Sequence, residues 1–114
     1  MSKVFGMHMI ALRPGVKAEE FERFVVEEAY PIFEKFPDSH LSVLKGDRGD
    51  REGKYLVMVE IPSVETRDRL FPSSGEMSEE AQQFYAAAEG LNEKWMTLAT
   101  PLDVIYTDYV VVGK

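Results

Sequence analysis

The first third of the chain changes its hydrophobic pattern once, and the change predicts a strand followed by a helix. Residues 3–12 are almost all apolar, with no helical stripe, until Arg13-Pro14-Gly15 interrupts them. Such a run is typical of a buried strand. From 16 to 36, apolar residues recur at helical spacing between glutamates. Because proline has no backbone N–H to donate, Pro31 predicts a kink near 27–30.

The middle of the chain predicts a β-hairpin. Two apolar strands, at about 41–46 and 54–61, flank a charged loop over 46–53 that contains three glycines. A phosphate-binding loop is the alternative for such glycines, but no helix start follows them and the neighbouring acids would repel an anion. We therefore expect a solvated hairpin turn.

The last part predicts two helices and a strand. Ser63 is placed to cap a short helix that Pro72 stops, and Ser78 is placed to cap a longer helix that Pro101 ends. Residues 103–112 then read as a final strand.

The resulting order, β-α-β-β-α-α-β, predicts a single α+β domain over residues 1–114. It is the order of a ferredoxin-like split β-α-β fold. Right-handed crossovers place the first and third strands at the centre, with the last strand beside the first. We expect a four-stranded antiparallel sheet with helices on one face.

Both faces of the first strand are apolar, which predicts a homodimer. One face carries Phe5, Met7, Met9 and Ala11, and the other carries Val4, Gly6, His8, Ile10 and Leu12. An antiparallel sheet covered on one side normally alternates apolar with polar residues. Sheet-on-sheet packing of two copies would cover the second face. Coverage by loops is the alternative.

Composition excludes several classes of function. The 114 residues carry a net charge of −7 and no clustered lysines or arginines, which argues against a nucleic-acid partner. The chain has no cysteine and two histidines, so we expect no disulfide, no thiolate nucleophile and no cysteine-ligated or histidine-rich metal centre. No apolar run reaches a membrane-spanning length, and the N-terminus lacks a cleavage site. We expect a cytoplasmic protein.

The candidate chemistry centres on His8, the one titratable residue in the core of the first strand. If residues 4–12 face residues 104–112, Tyr106 and Asp108 lie within side-chain reach of His8. A histidine oriented by a carboxylate suits general acid–base catalysis, and a tyrosine adds a hydroxyl donor. These three residues are the candidate catalytic set. The alternative is a hydrogen-bonded polar patch with a structural role.

The chain resembles the dimeric α/β-barrel superfamily, which includes antibiotic-biosynthesis monooxygenases, haem-degrading monooxygenases and stress-responsive proteins. The resemblance rests on the element order and on the segments KVFGMHMIALRPG, EEFERFVVEEAYPIFEKFP and KYLVMVEIPS. It implies that two sheets join into one barrel. It also implies a small-molecule cavity between the sheet and the helices of each subunit.

The resemblance suggests a function but argues against haem degradation. The haem-degrading branch uses an Asn on the first strand, a Trp on the third and a His in the helical segment, and this chain has none of them at those places. We expect a cofactor-free monooxygenase or isomerase that acts on a small apolar or aromatic substrate. The alternative is a non-catalytic ligand-binding or stress-responsive dimer.

Overall fold

Among the residues that the structure describes, an open antiparallel sheet of five strands forms the framework of a mixed α+β fold. The computed structural model describes residues 3–36, 38–73, 76–103 and 106–113. The strands are β1 (Val4–Leu12), β2 (His40–Lys45), β3 (Tyr55–Ile61), β4 (Ala99–Pro101) and β5 (Thr107–Val110). They follow the order β2-β3-β1-β4, and β5 also pairs with β1. The central strands are therefore β1 and β3, as the element order predicted.

The last strand is split in two, which corrects the prediction of one continuous strand over 103–112. The chain takes six steps from Pro101, opposite Ile10, to Thr107, opposite Met7, whereas β1 takes three. No single register can satisfy both ends. Leu102, Asp103 and Tyr106 belong to neither strand, and residues 104 and 105 lie outside the described residues.

The predicted register for this strand is off by two residues. Val4 lies opposite Val110 and Gly6 opposite Asp108, whereas the uninterrupted strand placed Asp108 opposite His8. The backbone bonds of Met9 explain the offset. Its carbonyl accepts from the N–H of Leu102, and its N–H donates to the carboxylate of Asp103 instead of to a strand carbonyl.

Helices pack on one face of the sheet. They are α1 (Ala18–Phe24), α2 (Tyr30–Phe33), α3 (Val64–Leu70), α4 (Glu79–Ala87) and α5 (Glu89–Leu98), with a π-helical segment (Val25–Ala29) between α1 and α2. The kink predicted near residues 27–30 falls on this π-helical segment, which ends just before Tyr30-Pro31, where the proline lacks an N–H donor. None of the helices in the described ranges is long and apolar enough to cross a membrane.

The two serine caps are confirmed, but the long second helix is not. Ser63 Oγ accepts the N–H of Thr66 and Ser78 Oγ accepts the N–H of Ala81, each at 3.1 Å. The single helix predicted from Ser78 to Pro101 breaks at Ala88, whose backbone leaves helical geometry. On either side of the break, Leu91 and Leu98 of α5 join the main core on the sheet, whereas Ala81 of α4 packs in a second cluster with Phe36 and Leu70.

The main core lies under α1 and α5. Phe21 is fully buried, with Tyr55 and Trp95 set edge-on to its ring at centroid distances of 4.9 and 5.3 Å. Ile10 and Val57 complete it from the sheet. This face of the sheet is called the helix-covered face.

The opposite face of the sheet, called the open face, is apolar and partly exposed. Met7 lies opposite Met58, and Met9 lies opposite Leu56. Leu44 and Tyr109 extend this surface to the outer strands, with 44% and 51% of their surface exposed. The apolar open face predicted for the first strand therefore continues onto neighbouring strands, where Ser42, Glu60 and Thr107 add polar groups to the same face.

Candidate functional site

A cavity of about 680 Å³ lies between the helix-covered face and the helices, and it is partly open to solvent. Its floor consists of sheet residues, among them Gly6, Leu41 and Val59. Its volume falls in the range of small-molecule binding sites, which are concave and mostly apolar. The cavity is therefore the candidate functional site.

Gly6 makes room at the floor of this cavity. A Cβ at this position would lie 3.3 Å from Asp108 Oδ1 and 3.4 Å from Tyr106 Cδ2. The two side chains can therefore lie against β1 because no side chain projects from residue 6. A glycine inside an apolar strand often marks such a close approach.

Aromatic rings form much of the wall. The lining includes Phe33 and Phe36, which come from α2 and the turn after it, together with Phe71 and Tyr85. Phe36 is buried, and its ring meets those of Phe84 and Tyr85 edge-on. Because these rings are held by one another, the wall is formed without a ligand.

An ion-pair cluster forms the polar side of the cavity. Arg67, on α3, donates from Nε to Asp68 Oδ1 at 2.8 Å and from Nη1 to Asp108 Oδ2 at 2.6 Å. Hydrogen bonds to Asp68 and then to Asp108 raise the pKa of Arg67, so its charge is retained. The arginine bridges a helix and β5, and thereby fixes Asp108 at the cavity edge.

The three predicted site residues lie on the same face of the sheet but in different surroundings. Tyr106 and Asp108 line the cavity. His8 is not among the lining residues; its ring stacks on Tyr106 with centroids 5.0 Å apart. Asp108 pairs with Arg67 instead of with the histidine.

The carboxylate beside His8 is Asp103, which the sequence reasoning missed. Nδ1 of His8 is buried and lies 2.5 Å from Asp103 Oδ1, although the angles are not those of a hydrogen bond. The same carboxylate accepts the N–H of Met9 through both oxygens, at 3.2 and 3.3 Å. An end to the β1 pairing at Pro101, had it been foreseen, would have brought Asp103 into consideration.

Two tyrosine hydroxyls belong to the site. Burial raises the pKa of Tyr106, and the neighbouring Tyr85 and Asp103 raise it further. Burial also raises the pKa of Tyr85. Both hydroxyls therefore stay protonated around neutral pH and are suited to donate hydrogen bonds, not to remove protons. The ring of Tyr106 nonetheless stays partly open to solvent, with 44% of the residue exposed.

A second residue of the candidate site, Arg67, also escaped the sequence reasoning. Arg67 had only one signal, its place in the last turn of a short helix beside an aspartate. Within the described ranges, no group of three or more histidine, aspartate or glutamate side chains is arranged to hold a metal ion.

Comparisons with known proteins do not identify the chain. It matches no protein-family model and no curated protein sequence.

Proposed function

We propose that this chain binds a small, mostly apolar molecule with an aromatic part in the cavity above Gly6. The observation that supports it most is the cavity itself, with rings of Phe33, Phe36 and Phe71 in its wall and polar groups at one side. Apolar walls supply most of the binding free energy, and a few polar groups orient the ligand.

The test is to fill the cavity and measure the loss of binding. N-phenyl-1-naphthylamine, a neutral dye that fluoresces in apolar sites, serves as the probe. Gly6→Leu places a side chain where a Cβ already approaches Asp108 and Tyr106. We expect this variant to weaken dye binding at least about tenfold, since the floor would be occupied.

A matched control is available at Gly90. A Cβ added there meets nothing within 4 Å, so Gly90→Leu makes the same chemical change in open space. It should bind the dye as the wild type does. Equal affinities for the two variants, with both folded by circular dichroism, would contradict the assignment of the cavity.

The proposed assembly is a homodimer in which the ferredoxin-like sheets of two copies pack through their open faces into an α/β barrel. The support is the row of apolar side chains at Met7, Met58, Met9 and Leu56, which lies on the face without helices. A second copy presents the same apolar surface, and isologous packing covers both at once. Light scattering should report twice the 13.0 kDa chain mass.

A second candidate is catalysis at the same site without a cofactor. It is favoured by the juxtaposition of Tyr106 and Asp108 beside Gly6, where a hydroxyl donor and a carboxylate would act on one ligand. In an oxygenase version, an activated CH₂ group reacts with O₂ to give a carbonyl and water, so the substrate supplies all the electrons. In an isomerase version, the carboxylate removes a proton and returns it to another carbon.

Turnover and simple binding are distinguished by a direct assay. Purified chain with a chelator and no added flavin is incubated with an aromatic ketone that bears an activated CH₂ group. Oxygen uptake that falls in Asp108→Asn supports the oxygenase, and deuterium exchange into the substrate without oxygen uptake supports the isomerase. Binding with neither reaction supports the non-catalytic alternative for this substrate class.

A further inference from the structure

The charged side chains around the cavity are unequal in number. Among the described lining residues, Arg67 is the one basic side chain, whereas Asp68, Glu76 and Asp108 are acidic. The arginine is already engaged by two of these carboxylates. Their summed charge leaves the cavity edge negative, so it does not present a free cation to an anionic ligand.

One carboxylate oxygen remains directed to the floor. Asp108 Oδ2 accepts the hydrogen bond from Arg67, while Oδ1 lies over Gly6. An oxygen in this position can accept a hydrogen bond from a ligand without breaking the ion pair. Charge-assisted bonds of this kind are about twice as strong as neutral ones.

The aromatic walls also favour a cation over an anion in the cavity. Five lining residues carry rings: Phe33, Phe36, Phe71, Tyr85 and Tyr106. The face of an aromatic ring carries partial negative charge and attracts cations, with greater effect where water is displaced. Hydroxyl groups could serve an anion, and the lining carries those of the two tyrosines, Ser39 and Ser73, but they contribute dipoles against full carboxylate charges.

From this combination we propose that the cavity selects cationic apolar ligands, namely aromatic amines with a basic side chain or protonated nitrogen heterocycles, and rejects their carboxylate counterparts. The proposal rests on the proposed function, since it names the ligand class of that same cavity. The ligand's ring would lie among the aromatic walls. Its positive nitrogen would lie near Asp108 and Glu76.

Three naphthalene probes of similar shape and different charge test the proposal by calorimetry at neutral pH. They are 2-naphthylmethylamine, 2-naphthylmethanol and the carboxylate of 2-naphthaleneacetic acid, respectively cationic, neutral and anionic. We expect affinity to fall in that order, with the amine at least about tenfold tighter than the carboxylate.

The variants locate the source of the preference. Asp108→Asn and Glu76→Gln each remove one negative charge from the cavity edge and should each reduce the ratio of amine to carboxylate affinity at least about threefold. Glu93→Gln removes a charge from an exposed position on α5 outside the lining, and it should leave the ratio unchanged. Glu76 is exposed, so its variant provides a test even where Asp108→Asn fails to fold.

The outcomes distinguish the charge preference from the proposed function on which it rests. Carboxylate binding equal to or tighter than amine binding overturns the charge preference and leaves the cavity assignment intact. A ratio that falls equally in Glu93→Gln also overturns it, because the preference would then arise from the net charge of the chain. No binding by any of the three probes overturns the proposed function itself.

Discussion

Two halves of the helix-covered face are built from similar side chains, but one half is closely packed and the other contains a cavity. At one end of β1, around Ile10, the rings of Phe21, Phe24 and Trp95 interlock into a closed core. At the other end, around Gly6, the rings of Phe33, Phe36 and Phe71 surround a cavity of about 680 Å³. Aromatic content therefore does not distinguish a core from a binding site in this molecule.

The difference arises from what projects from the sheet and what lies above it. In the closed half, β1 presents Ile10, and α1 and α5 lie directly over it. In the cavity half, β1 presents Gly6, and the acidic cluster around Arg67 replaces apolar contacts at the edge. The cavity half thus differs from the closed half in two ways: residue 6 has no side chain, and an ion-pair cluster lies at the edge.

The largest expected effect is on folding stability in the closed half. Phe21→Ala leaves a void between Tyr55 and Trp95 and should cost about 3–5 kcal/mol in the free energy of unfolding, measured by urea denaturation. Phe36→Ala removes the same atoms beside existing empty space and should cost clearly less. Equal losses at the two positions would contradict the distinction between the halves.

The next effect concerns the open face, which lies on the other side of the sheet behind both halves. Met58→Lys places a charge at the centre of the proposed dimer contact and should weaken the dimer by at least about tenfold, as seen by light scattering at falling concentration. Val26→Lys is the control, since Val26 lies on the π-helical segment with 62% of its surface exposed. A dimer that tolerates Met58→Lys as well as Val26→Lys would refute packing through this face.

A smaller effect is expected from the cap that positions Arg67. Ser63 Oγ accepts the N–H of Thr66 at the start of α3, and Ser63→Ala should lower stability by about 1 kcal/mol. If α3 holds the arginine at the cavity edge, this variant should also weaken binding of the apolar dye. Ser78→Ala removes the equivalent cap from α4, and the stability that it loses is the comparison for Ser63→Ala.

The smallest effect is a pH dependence confined to the closed half. A hydrogen bond from Tyr55, and then one from Lys45, lowers the pKa of Glu22 below its ordinary value of 4.5. Burial, and then the bond to Glu22, raises the pKa of Tyr55 above its ordinary value of 10.0. Because the pKa of Glu22 is lower in the folded chain, its interactions stabilise the fold fully above pH 4.5, and this stabilisation is lost as the pH falls from 4.5 through the lowered pKa. Because the pKa of Tyr55 is higher in the folded chain, its protonated hydroxyl stabilises the fold fully below pH 10.0, and this stabilisation is lost as the pH rises from 10.0 through the raised pKa.

Tyr55→Phe should therefore make the melting temperature depend less on pH, on both the acidic and the alkaline side. Tyr30→Phe is the control, because the Tyr30 hydroxyl accepts a backbone N–H from Val43 and has no role in this pair. Its loss should lower the melting temperature without changing the shape of the pH profile. Matching profiles for the two variants would show that the Tyr55–Glu22 bond does not govern the pH dependence.

The sequence determined the features that depend on neighbouring residues. Pro31 predicted a kink in the helix segment where the π-helical turns now lie, and the serines at 63 and 78 predicted helix starts, because capping and the missing N–H act within a few residues. The two-faced apolar pattern of β1 likewise predicted a sheet with an apolar open face, since side chains alternate along any strand.

The tertiary structure alone decided where the last strand bends, and with it the composition of the site. Three residues more than β1 can pair are accommodated between β4 and β5, which turns Asp103 toward His8 and places Asp108 over Gly6 beside Arg67. A strand pattern has a period of two, so it looks the same after a shift of two residues. The register was therefore settled by contacts between segments distant in the chain, which a pattern along the sequence does not contain.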